Sequence, residues 1–537
     1  MIEGATVRSF MGIELGSTRI KAVLIDEEGK LLASGGYDWE NRFEAGMWTY
    51  ALEDVWTGLR ESFATLSADF GAKRAAGAGG ADSSFPEISC VGVSAMMHGY
   101  LAFDKNDNQL AEFRTWRNTI TEEAAEKLTE EFRFNIPQRW SIAHLYRAVA
   151  GGEAHVKDIA FITTLAGYVH YKLTGEKVLG VGDASGMFPI DSGEVDYNAV
   201  MLGRFDRLVR EHEVPWLLRD ILPEVLRAGE AAGYLTEDGA KLLDPTGVLR
   251  SGIPFCPPEG DAGTGMTATN SVAPLTGNVS AGTSIFAMLV LERELSKLYP
   301  EIDMVTTPTG RPVAMVHCNN CTSDLDAWIG VFSDVAALMD ARRDKAEMYE
   351  SLYKAALRGE PDCGGLVSVN YLSGEHTTGF HEGRPLFLRT QESSLTLTNF
   401  MRSLLFSAIA TLKIGVDLLA EGEGVRAGSL LGHGGLFKTA AVAQKLLAGA
   451  LDTPVSVMES AGEGGAWGIA LLAAYSVCGE SGETLEDFLG KRIFAGSGVV
   501  TIEPDQSDVR GFKIYLERYK AALVVEREAV KALRNRN

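Results

Sequence analysis

The chain is poor in cysteine and in positive charge for its length. Six cysteines are spread over 537 residues, too few and too scattered for a disulfide framework, so we expect a reducing compartment, the cytoplasm. The 50 Lys and Arg are outnumbered by 72 Asp and Glu, giving a formal net charge of -22. Such a charge disfavours nucleic-acid phosphates and anionic membranes, so we expect neither as a partner. A small polyanion such as ATP can still bind where backbone N–H groups converge.

Long hydrophobic runs are also lacking. No run of about 18 apolar residues stands out, so the sequence predicts no membrane span. Residues 1–10 contain Glu3 and Arg8 and lack the apolar core of a signal peptide. The length predicts two large domains, because a single hydrophobic core does not extend over so long a chain.

The first part of the chain alternates short apolar runs with turns. Four apolar runs and one stretch of helical spacing occur at residues 11–15, 20–25, 31–33, 52–70 and 88–96. Short turns such as Gly16-Ser17-Thr18 separate the first three runs, which predicts an antiparallel meander of three strands. The small-residue stretch 71–85 is predicted to be a mobile surface loop.

The second half repeats this order. Three strands, a long amphipathic helix and two further strand–helix pairs are predicted at residues 277–282, 285–291, 312–318, 399–421, 429–432, 439–450, 455–458 and 466–475. Both halves begin with a meander whose first turn is small and rich in hydroxyl groups. The sequence therefore predicts an internal duplication, with its boundary near Ala273-Pro274.

The expected architecture is an α/β fold of two duplicated domains around a central cleft. The predicted division is an N-terminal domain over residues 9–273, a C-terminal domain over 274–515 and a helical tail over 516–537. Each domain would offer a Gly/Ser/Thr turn to a ligand in the cleft, and closure would expel water from it.

The two hydroxyl-rich turns are candidate phosphate sites. Gly16 lets a phosphate approach the backbone, and Ser17 and Thr18 add hydroxyl donors. Gly282-Thr283-Ser284 is the equivalent turn of the second half. Glu14, just before the first turn, is a candidate Mg²⁺ ligand, directly or through water. The alternative for each turn is an ordinary β-hairpin.

Asp261 is the candidate proton acceptor. It lies in a stretch where glycines leave the backbone open to a ligand, just before the predicted domain boundary. An aspartate at the start of a helix can also be simply a cap. The position near the cleft favours a general base over a cap.

Two other motifs are less specific. Gly434-Gly435 follows a predicted strand and can accommodate a nucleotide on bare backbone, although its spacing is not the dinucleotide pattern GxGxxG. Cys318 and Cys321 suggest a metal pair, but no second pair of ligands accompanies them, and a structural zinc site needs four. Ordinary core residues and no zinc are predicted there.

At these residues the sequence resembles the FGGY carbohydrate kinases, from about residue 11 to 475. Residues 12–21 resemble the first phosphate motif, and Val279–Ser284 resemble the second. Further similar segments are the sugar-contacting stretch of the xylulokinases, two blocks at 171–176 and 183–186, the catalytic Gly-Asp pair and the adenosine motif, found here at 94–99, 171–176, 183–186, Gly260-Asp261 and Gly434-Gly435.

The resemblance implies two actin-like domains of the ribonuclease H-like, hexokinase, Hsp70 and actin superfamily, with ATP and Mg²⁺ as cofactors. It implies that Asp261 is catalytic and that Glu14 orients Mg²⁺. The residues expected to bind ATP are Gly16, Ser17, Thr18, Lys21, Gly282, Thr283, Ser284, Gly434, Gly435 and Lys438. The residues expected to bind the sugar, beside Asp261, are Met97, His98, Trp116 and Arg117.

The sequence departs from the family pattern at several positions. Glu14 stands where relatives usually carry Asp, and Ala262 stands where xylulokinases commonly carry Asn. The segment 140–147 has His144 and Arg147 in place of a Lys…Trp pattern. The difference at Glu14 lengthens the arm toward the metal by one methylene, and the other differences concern the sugar side of the expected site.

The predicted activity is transfer of the γ-phosphoryl group of Mg·ATP to a small sugar, a ketopentose such as xylulose or ribulose. The Met97-His98 pair favours a ketopentose, because it is similar to the sugar-contacting pair of the pentulose kinases. The alternatives are another polyol, a sugar acid such as gluconate, an actin-like ATPase without a sugar substrate, and a non-catalytic binding protein. A homodimer is a candidate assembly.

Overall fold

The computed structural model describes residues 8–76, 85–458, 464–496 and 498–533. The chain forms two compact units, each built from three separated segments. The first unit takes in residues 1–272, 304–313 and 461–497, and the second takes in 273–303, 314–460 and 498–537. The domains predicted from the sequence are contiguous, so they differ from this division at 304–313 and 461–497.

The elements are numbered in chain order. Up to residue 268 the strands are β1 (Ser9–Leu15), β2 (Arg19–Asp26), β3 (Leu31–Asp38), β4 (Arg42–Glu44), β5 (Met47–Thr49), β6 (Ile88–Ala95), β7 (Leu101–Phe103), β8 (Phe161–Thr163), β9 (Val178–Gly180), β10 (Ile190–Asp191), β11 (Asp196–Tyr197), β12 (Glu224–Leu226) and β13 (Glu259–Gly260). The helices of the same stretch are α1 (Leu52–Ala76), α2 (Glu122–Phe132), α3 (Ser141–Ala150), α4 (Leu165–Thr174), α5 (Val181–Ala184), α6 (Ala199–Leu208), α7 (Leu218–Ile221), α8 (Glu237–Leu243) and α9 (Asp261–Ala268).

The remaining strands are β14 (Thr276–Ala281), β15 (Ile285–Val290), β16 (Asp303–Thr306), β17 (Pro312–Cys318), β18 (Val367–Val369), β19 (Leu386–Leu388), β20 (Ser429–His433), β21 (Val455–Met458) and β22 (Val499–Ile502). The remaining helices are α10 (Ser323–Leu338), α11 (Lys345–Ala356), α12 (Leu397–Gly422), α13 (Val442–Leu451), α14 (Gly464–Cys478), α15 (Leu485–Phe488) and α16 (Gln506–Ala532).

The first unit is organised around a five-stranded sheet in the order β13-β6-β1-β2-β3. The predicted meander is confirmed, because β1, β2 and β3 pair antiparallel in succession. Strands β6 and β13 then add in parallel beside β1. The carboxyl ends of β1, β6 and β13 therefore lie at one edge of the sheet, where the chain carries its candidate catalytic residues.

Two helices approach this sheet very closely. A Cβ atom on Gly35 of β3 would lie 2.2 Å from the carbonyl oxygen of Ser62 in α1. A Cβ atom on Gly12 of β1 would lie 2.1 Å from the carbonyl oxygen of Ala466 in α14. Glycine at these strand positions thus lets helix backbone contact strand backbone, which brings the start of α14 against β1.

The stretch 71–85, predicted to be a loop, is helical in its first part. Helix α1 continues to Ala76, and residues 77–84 lie outside the described residues. Alanine, lysine and arginine favour helix over loop, and Lys73 forms an ion pair with Asp69 one turn earlier, at 2.8 Å. The prediction was therefore wrong for the residues up to Ala76.

The second unit has a sheet in the order β16-β17-β15-β14-β20-β21-β22. Its part β17-β15-β14-β20-β21 repeats the order β3-β2-β1-β6-β13 of the first unit. Strands β14 and β15 pair antiparallel, and β20 and β21 add in parallel beside β14. The internal duplication predicted from the sequence is thus present in the strand order.

Helices α12 and α16 form much of the core of the second unit. By length and composition α12 could cross a membrane, but 67% of its most apolar stretch of 18 residues is buried within the protein. Charged residues such as Arg402 and Lys413 interrupt the apolar run of this helix, which is why the sequence predicts no membrane span here. Helix α16 runs unbroken across the predicted start of a tail at residue 516, and its Tyr515 and Tyr519 are fully buried.

We expect Gly468→Ala to destabilise the first unit. A Cβ atom at Gly468 of α14 would lie 2.0 Å from the carbonyl oxygen of Thr264 in α9, and forced overpacking of this kind costs about 1–3 kcal/mol. Gly265→Ala is the matched control, because no atom lies within 4 Å of its Cβ position and alanine favours a helix. Thermal unfolding of both variants measures the difference, and an unchanged Tm for Gly468→Ala would contradict the close packing.

Candidate active site

Asp261 lies at the carboxyl edge of the first unit's sheet. Strand β13 pairs in parallel with the end of β6, and the chain turns from β13 directly into α9. The N-cap position of α9 is Gly260, which has no side chain, and Asp261 is the first helical residue. The carboxylate accepts a hydrogen bond from the backbone N–H of Met97, at 3.2 Å. Asp261 is therefore not the N-cap that the alternative interpretation supposed.

The Asp261 side chain is exposed to solvent. Desolvation by neighbouring protein atoms raises the pKa of Asp261, whereas the hydrogen bond from the Met97 N–H and the charge of Arg139 lower it. Water that reaches the carboxylate hydrates its charged form and opposes the rise. The group combines access with a raised pKa, as a general base requires.

Glu14 lies beside Asp261, at the end of β1. Its Oε2 atom accepts a hydrogen bond from the N–H of Ala466 in the first turn of α14, at 3.3 Å. A Cβ atom on Gly465 would lie 2.3 Å from Oε1, so the glycine makes room for the longer glutamate arm. Burial and then the charge of Asp261 raise the pKa of Glu14 to about 7, and Lys21, its partner across the strand pair, lowers it.

Two further carboxyl groups are fully buried next to Asp261. Asp183 accepts a hydrogen bond from the Thr164 hydroxyl at 2.6 Å, and burial with the charge of Asp261 raises its pKa to about 7. Glu259 accepts from the N–H groups of Gly182 and Asp183 at 3.2 and 3.0 Å. Burial and the charge of Asp183 raise the pKa of Glu259 to about 8.

Raised carboxyl pKa values have a defined effect on folding. The folded state holds protons that the unfolded state releases, so stability falls as the pH rises from the ordinary carboxyl range toward about 7 for Glu14 and Asp183. A cation near the cluster would offset this effect. Among the described residues no three His, Cys, Asp or Glu side chains are arranged as metal ligands.

The first phosphate turn is held through its carbonyl groups. The indole N–H of Trp39 donates to the carbonyl of Gly16 at 2.7 Å, and the Tyr50 hydroxyl donates to that of Ser17 at 2.7 Å. The backbone N–H of Trp39 donates to the carbonyl of Thr18 at 3.1 Å. Three successive carbonyls are thus satisfied by protein, and the Gly16 N–H donates to the carbonyl of Arg19 at 3.0 Å, so Ser17 and Thr18 carry the turn's candidate donors toward a ligand.

Met97 and His98 follow β6 directly, within reach of Asp261. Cβ atoms on Gly260 and Gly186 would lie 2.1 Å from Cγ and 2.8 Å from Cε of Met97, so both glycines make room for this side chain. His98 is buried and has a positive φ of 70°. The structure therefore places Met97 against Asp261, with His98 next along the chain. That these residues bind a sugar stays a prediction.

Trp116 and Arg117 have surroundings of a different kind. Trp116 is 40% exposed. The Arg117 guanidinium lies 4.0 Å from the centre of the Trp48 ring and donates to the side chain of Asn41 at 2.9 Å. These contacts hold Arg117 on the β4–β5 hairpin, so its role in sugar binding stays a prediction.

His144 and Arg147 are structural in their contacts. His144 is completely buried, and burial with the nearby Arg114 charge lowers its pKa to about 3, so it stays neutral. Arg147 forms an ion pair with Glu153 at 2.9 Å. Glu153 also pairs with the buried Arg114.

In the second unit the predicted nucleotide residues gather at one sheet edge. Strands β14 and β20 are parallel neighbours, and the turn at Gly282 follows one while Gly434 follows the other. The N–H groups of Cys321 and Thr322 donate to the carbonyls of Thr283 and Gly282, at 3.0 and 3.2 Å. The second turn is thus held through its carbonyls, as the first is.

The neighbouring glycine loop lies against this turn. Gly434 has a φ of 99°, and a Cβ atom there would lie 2.5 Å from the carbonyl oxygen of Ala281. Gly435 begins a 3-10 turn that ends at the exposed Lys438. Ser284, whose carbonyl accepts from the Gly282 N–H at 2.8 Å, completes the group.

The cysteine pair is part of the core. Cys318 and Cys321 are buried, and burial raises the pKa of both thiols, that of Cys321 to about 12.

Two charged neighbours of Asp261 were not assigned roles from the sequence. Asp183 lies in a segment similar to a block of the family, and this similarity is the sequence signal that could have identified it. Arg139 carries no motif, and only its position beside His98, at 3.1 Å from Nε to Nε2, identifies it.

Comparison with known proteins agrees with this geometry. Residues 9–265 match the N-terminal domain of the FGGY family of carbohydrate kinases, and residues 277–477 match its C-terminal domain. The chain is 22% identical to the xylulose kinase of Haemophilus influenzae over 548 residues, covering 95% of the chain and 98% of the relative.

Solved structures show the same fold. The xylulose kinase of Rhodospirillum rubrum superposes with a TM-score of 0.77 at 18% identity, over 96% of the chain and 99% of the relative. A gluconate kinase from Lactobacillus acidophilus gives 0.76 at 16% identity, over 97% and 99%. The chain belongs to the FGGY family of carbohydrate kinases and has its two-domain, actin-like fold. It is a phosphotransferase with an alcohol group as acceptor, and kinases of this family use ATP.

We expect Gly282→Val to weaken nucleotide binding without unfolding the protein. No atom lies within 4 Å of the Cβ position of Gly282, so the side chain fits the fold but would occupy the space a phosphate needs beside the turn. Gly330→Val is the control, because its Cβ position in α10 is equally open. Calorimetric titration with a non-hydrolysable ATP analogue should show about a tenfold or greater loss for Gly282→Val alone. Equal affinities would mean that the turn is only a hairpin.

Proposed function

We propose that the protein transfers the γ-phosphoryl group of Mg·ATP to a hydroxyl group of a ketopentose, xylulose or ribulose. The observation that carries this proposal is Asp261, an accessible carboxylate with a raised pKa beside Met97 and His98. Phosphoryl transfer depends mainly on positioning and charge neutralisation, with a carboxylate accepting the proton of the attacking hydroxyl. Asp261 would accept that proton.

Each unit has one turn that is proposed to bind phosphate. Ser17 and Thr18 would donate to phosphate in the first unit, and Thr283 and Ser284 in the second. Gly16 and Gly282, whose N–H groups are bound within their turns, would instead leave room for the phosphate to approach. The support is that the carbonyls of both turns are bound to protein donors. Gly434, Gly435 and Lys438 would contact the adenosine, and Lys21 would add charge near Glu14.

Glu14 is proposed to hold Mg²⁺ through water. Its carboxylate and that of Asp261 repel each other, as the raised pKa of about 7 for Glu14 indicates, so a divalent cation fits this pair of groups. Mg²⁺ usually keeps several waters and takes few protein ligands. When bound, it neutralises phosphate charge during transfer.

The ketopentose assignment rests on Met97 and His98, and two of the arginines that a sugar acid could have used are paired within the protein. Arg117 and Arg147 could each have paired with a carboxylate, but they contact Asn41 and Glu153 instead. The names of the relatives support both choices, since they include xylulose and gluconate kinases. The assignment therefore depends on the acceptor measurement below.

We expect Asp261→Asn and Asp261→Ala to abolish phosphorylation while ATP affinity stays within about twofold. The loss should be roughly a hundredfold or more, because general-base catalysis contributes that much. Asp220→Asn, on the exposed surface of α7, is the control for an aspartate-to-asparagine change. Steady-state rates and analogue titration test this, and a variant within a few fold of the parent would remove Asp261 as the base.

We expect D-xylulose, L-xylulose, D-ribulose or L-ribulose to give a higher kcat/KM than glycerol or gluconate. A site that hydrogen-bonds each hydroxyl of its acceptor rejects analogues lacking one, by about 10⁴-fold in strong cases. A coupled ADP-release assay across these six compounds decides the order. Preference for glycerol or gluconate would contradict the ketopentose assignment but leave the kinase class intact.

A further inference from the structure

Four successive backbone N–H groups connect the second phosphate turn with a buried carboxylate. They belong to residues 319–322, the linking segment between β17 and α10. The first two N–H groups donate to Oε2 of Glu375, at 2.9 and 3.3 Å. The last two donate to the carbonyls of Thr283 and Gly282, at 3.0 and 3.2 Å. One short segment therefore binds both the carboxylate and the turn.

Glu375 is itself firmly held. Its side chain is fully buried, and its backbone N–H and carbonyl both pair with Phe380, at 2.7 and 2.9 Å. The side-chain amide of Asn320 also donates to Oε2, at 3.2 Å. This one oxygen thus accepts three hydrogen bonds from the linking segment, in the way that converging N–H groups bind an anion.

Two asparagines fasten the same part of the chain to the linking segment. Oδ1 of Asn320 accepts from the N–H groups of Leu372 and Ser373, both at 3.0 Å. Asn370 donates from its side chain to the carbonyl of Cys321, at 3.1 Å. Asn370 therefore binds the segment through a carbonyl, whereas Glu375 binds it through two N–H groups.

Burial makes the charge of Glu375 costly. Desolvation raises the pKa of Glu375 to about 7, and the hydrogen bonds from Asn320 and Asn319 lower it. A carboxyl group with such a pKa is only partly ionised at neutral pH, and a neutral amide oxygen can accept the same N–H groups. Glu375→Gln therefore keeps the oxygen without the charge, and Glu375→Asp keeps the charge on a shorter arm.

We propose that Glu375 is a positioning residue for the second phosphate turn, which it holds through the backbone of the linking segment. The segment fixes the carbonyls of Gly282 and Thr283, and thereby the orientation in which the turn meets a phosphate. This inference rests on the proposed function, because it names a residue that sets the geometry of the nucleotide turn. Since its side chain is fully buried, Glu375 acts on the turn without touching the nucleotide.

The test measures nucleotide binding and acceptor binding separately in variants of Glu375. Glu375→Ala and Glu375→Asp should each weaken binding of a non-hydrolysable ATP analogue about tenfold or more, because a displaced turn loses at least one hydrogen bond to a charged phosphate. The KM for ATP should rise in parallel, while the KM for the best acceptor sugar stays within about twofold. Glu375→Gln should keep the analogue affinity within about threefold, since its amide oxygen still accepts from the segment.

Glu526→Ala is the matched control for the loss of a buried glutamate. Glu526 is also fully buried in the second unit, but it accepts from the backbone N–H of Arg384. Its removal should lower the Tm, as that of Glu375 should, because a buried N–H loses its acceptor. The KM for ATP should rise in Glu375→Ala and not in Glu526→Ala.

A double-mutant cycle tests whether Glu375 acts through the turn. Gly282→Val already excludes phosphate from the turn. Glu375→Asp should therefore weaken analogue binding in the parent enzyme and add little in the Gly282→Val background. Additive effects would contradict action through the turn.

Three further outcomes overturn the inference. They are an unchanged analogue affinity in Glu375→Asp, an equal rise in the KM for ATP and for the sugar, and a Glu375→Gln variant that binds the analogue as weakly as Glu375→Asp. Unchanged analogue affinity in Gly282→Val would instead contradict the phosphate role of the turn in the proposed function. The two failures are therefore distinguishable in one set of titrations.

Discussion

The close approach of α14 to β1 and α9 is the constraint on which the first unit's site depends. Gly12, Gly465 and Gly468 let backbone meet backbone or a buried side chain, with Cβ positions 2.0 to 2.3 Å from neighbouring atoms. This packing places the first N–H groups of α14 beside Glu14 and fixes the start of α9, where Asp261 lies. A helix held farther away would leave the Glu14 carboxylate without a donor and α9 without a neighbour. The geometry of the site therefore depends first on the absence of side chains at these three glycines, and its charges act within that geometry.

The site concentrates negative charge that its folding disfavours. Glu14, Asp183 and Glu259 are each desolvated, and the charge of Asp261 acts on the first two. Backbone N–H groups and the Thr164 hydroxyl offset part of this cost, and Lys21 and Arg139 add opposite charge. Functional sites often depart from what stability alone would select. Under the proposed function, Mg²⁺ that arrives with the nucleotide would lower this cost at Glu14.

The local sequence pattern predicts much of the fold and part of the site. The meander, the long helices and the repeated strand order follow from apolar spacing, and the pairing of Asp261 with Met97 and His98 follows from strand ends that meet at one edge. Three features lay beyond such reasoning. The return of residues 461–497 to the first unit is a tertiary arrangement with no local signal. The fixed hydrogen bonds of His98 depend on Arg139, forty-one residues along the chain. The placement of Arg117 depends on Asn41 and Trp48, which sequence spacing does not bring together.

The discontinuous first unit has a consequence for synthesis on the ribosome. The strands that carry Glu14 and Asp261 are made early, whereas α14, which covers β1 and donates to Glu14, ends at Cys478. Until α14 has emerged from the ribosome, the backbone of β1 at Gly12 is uncovered, and the nascent sheet lacks one of the helices that pack on it. Contacts of such long sequence separation form late and slowly. A fragment that stops at the first break, after Val272, would therefore lack the helix that covers β1.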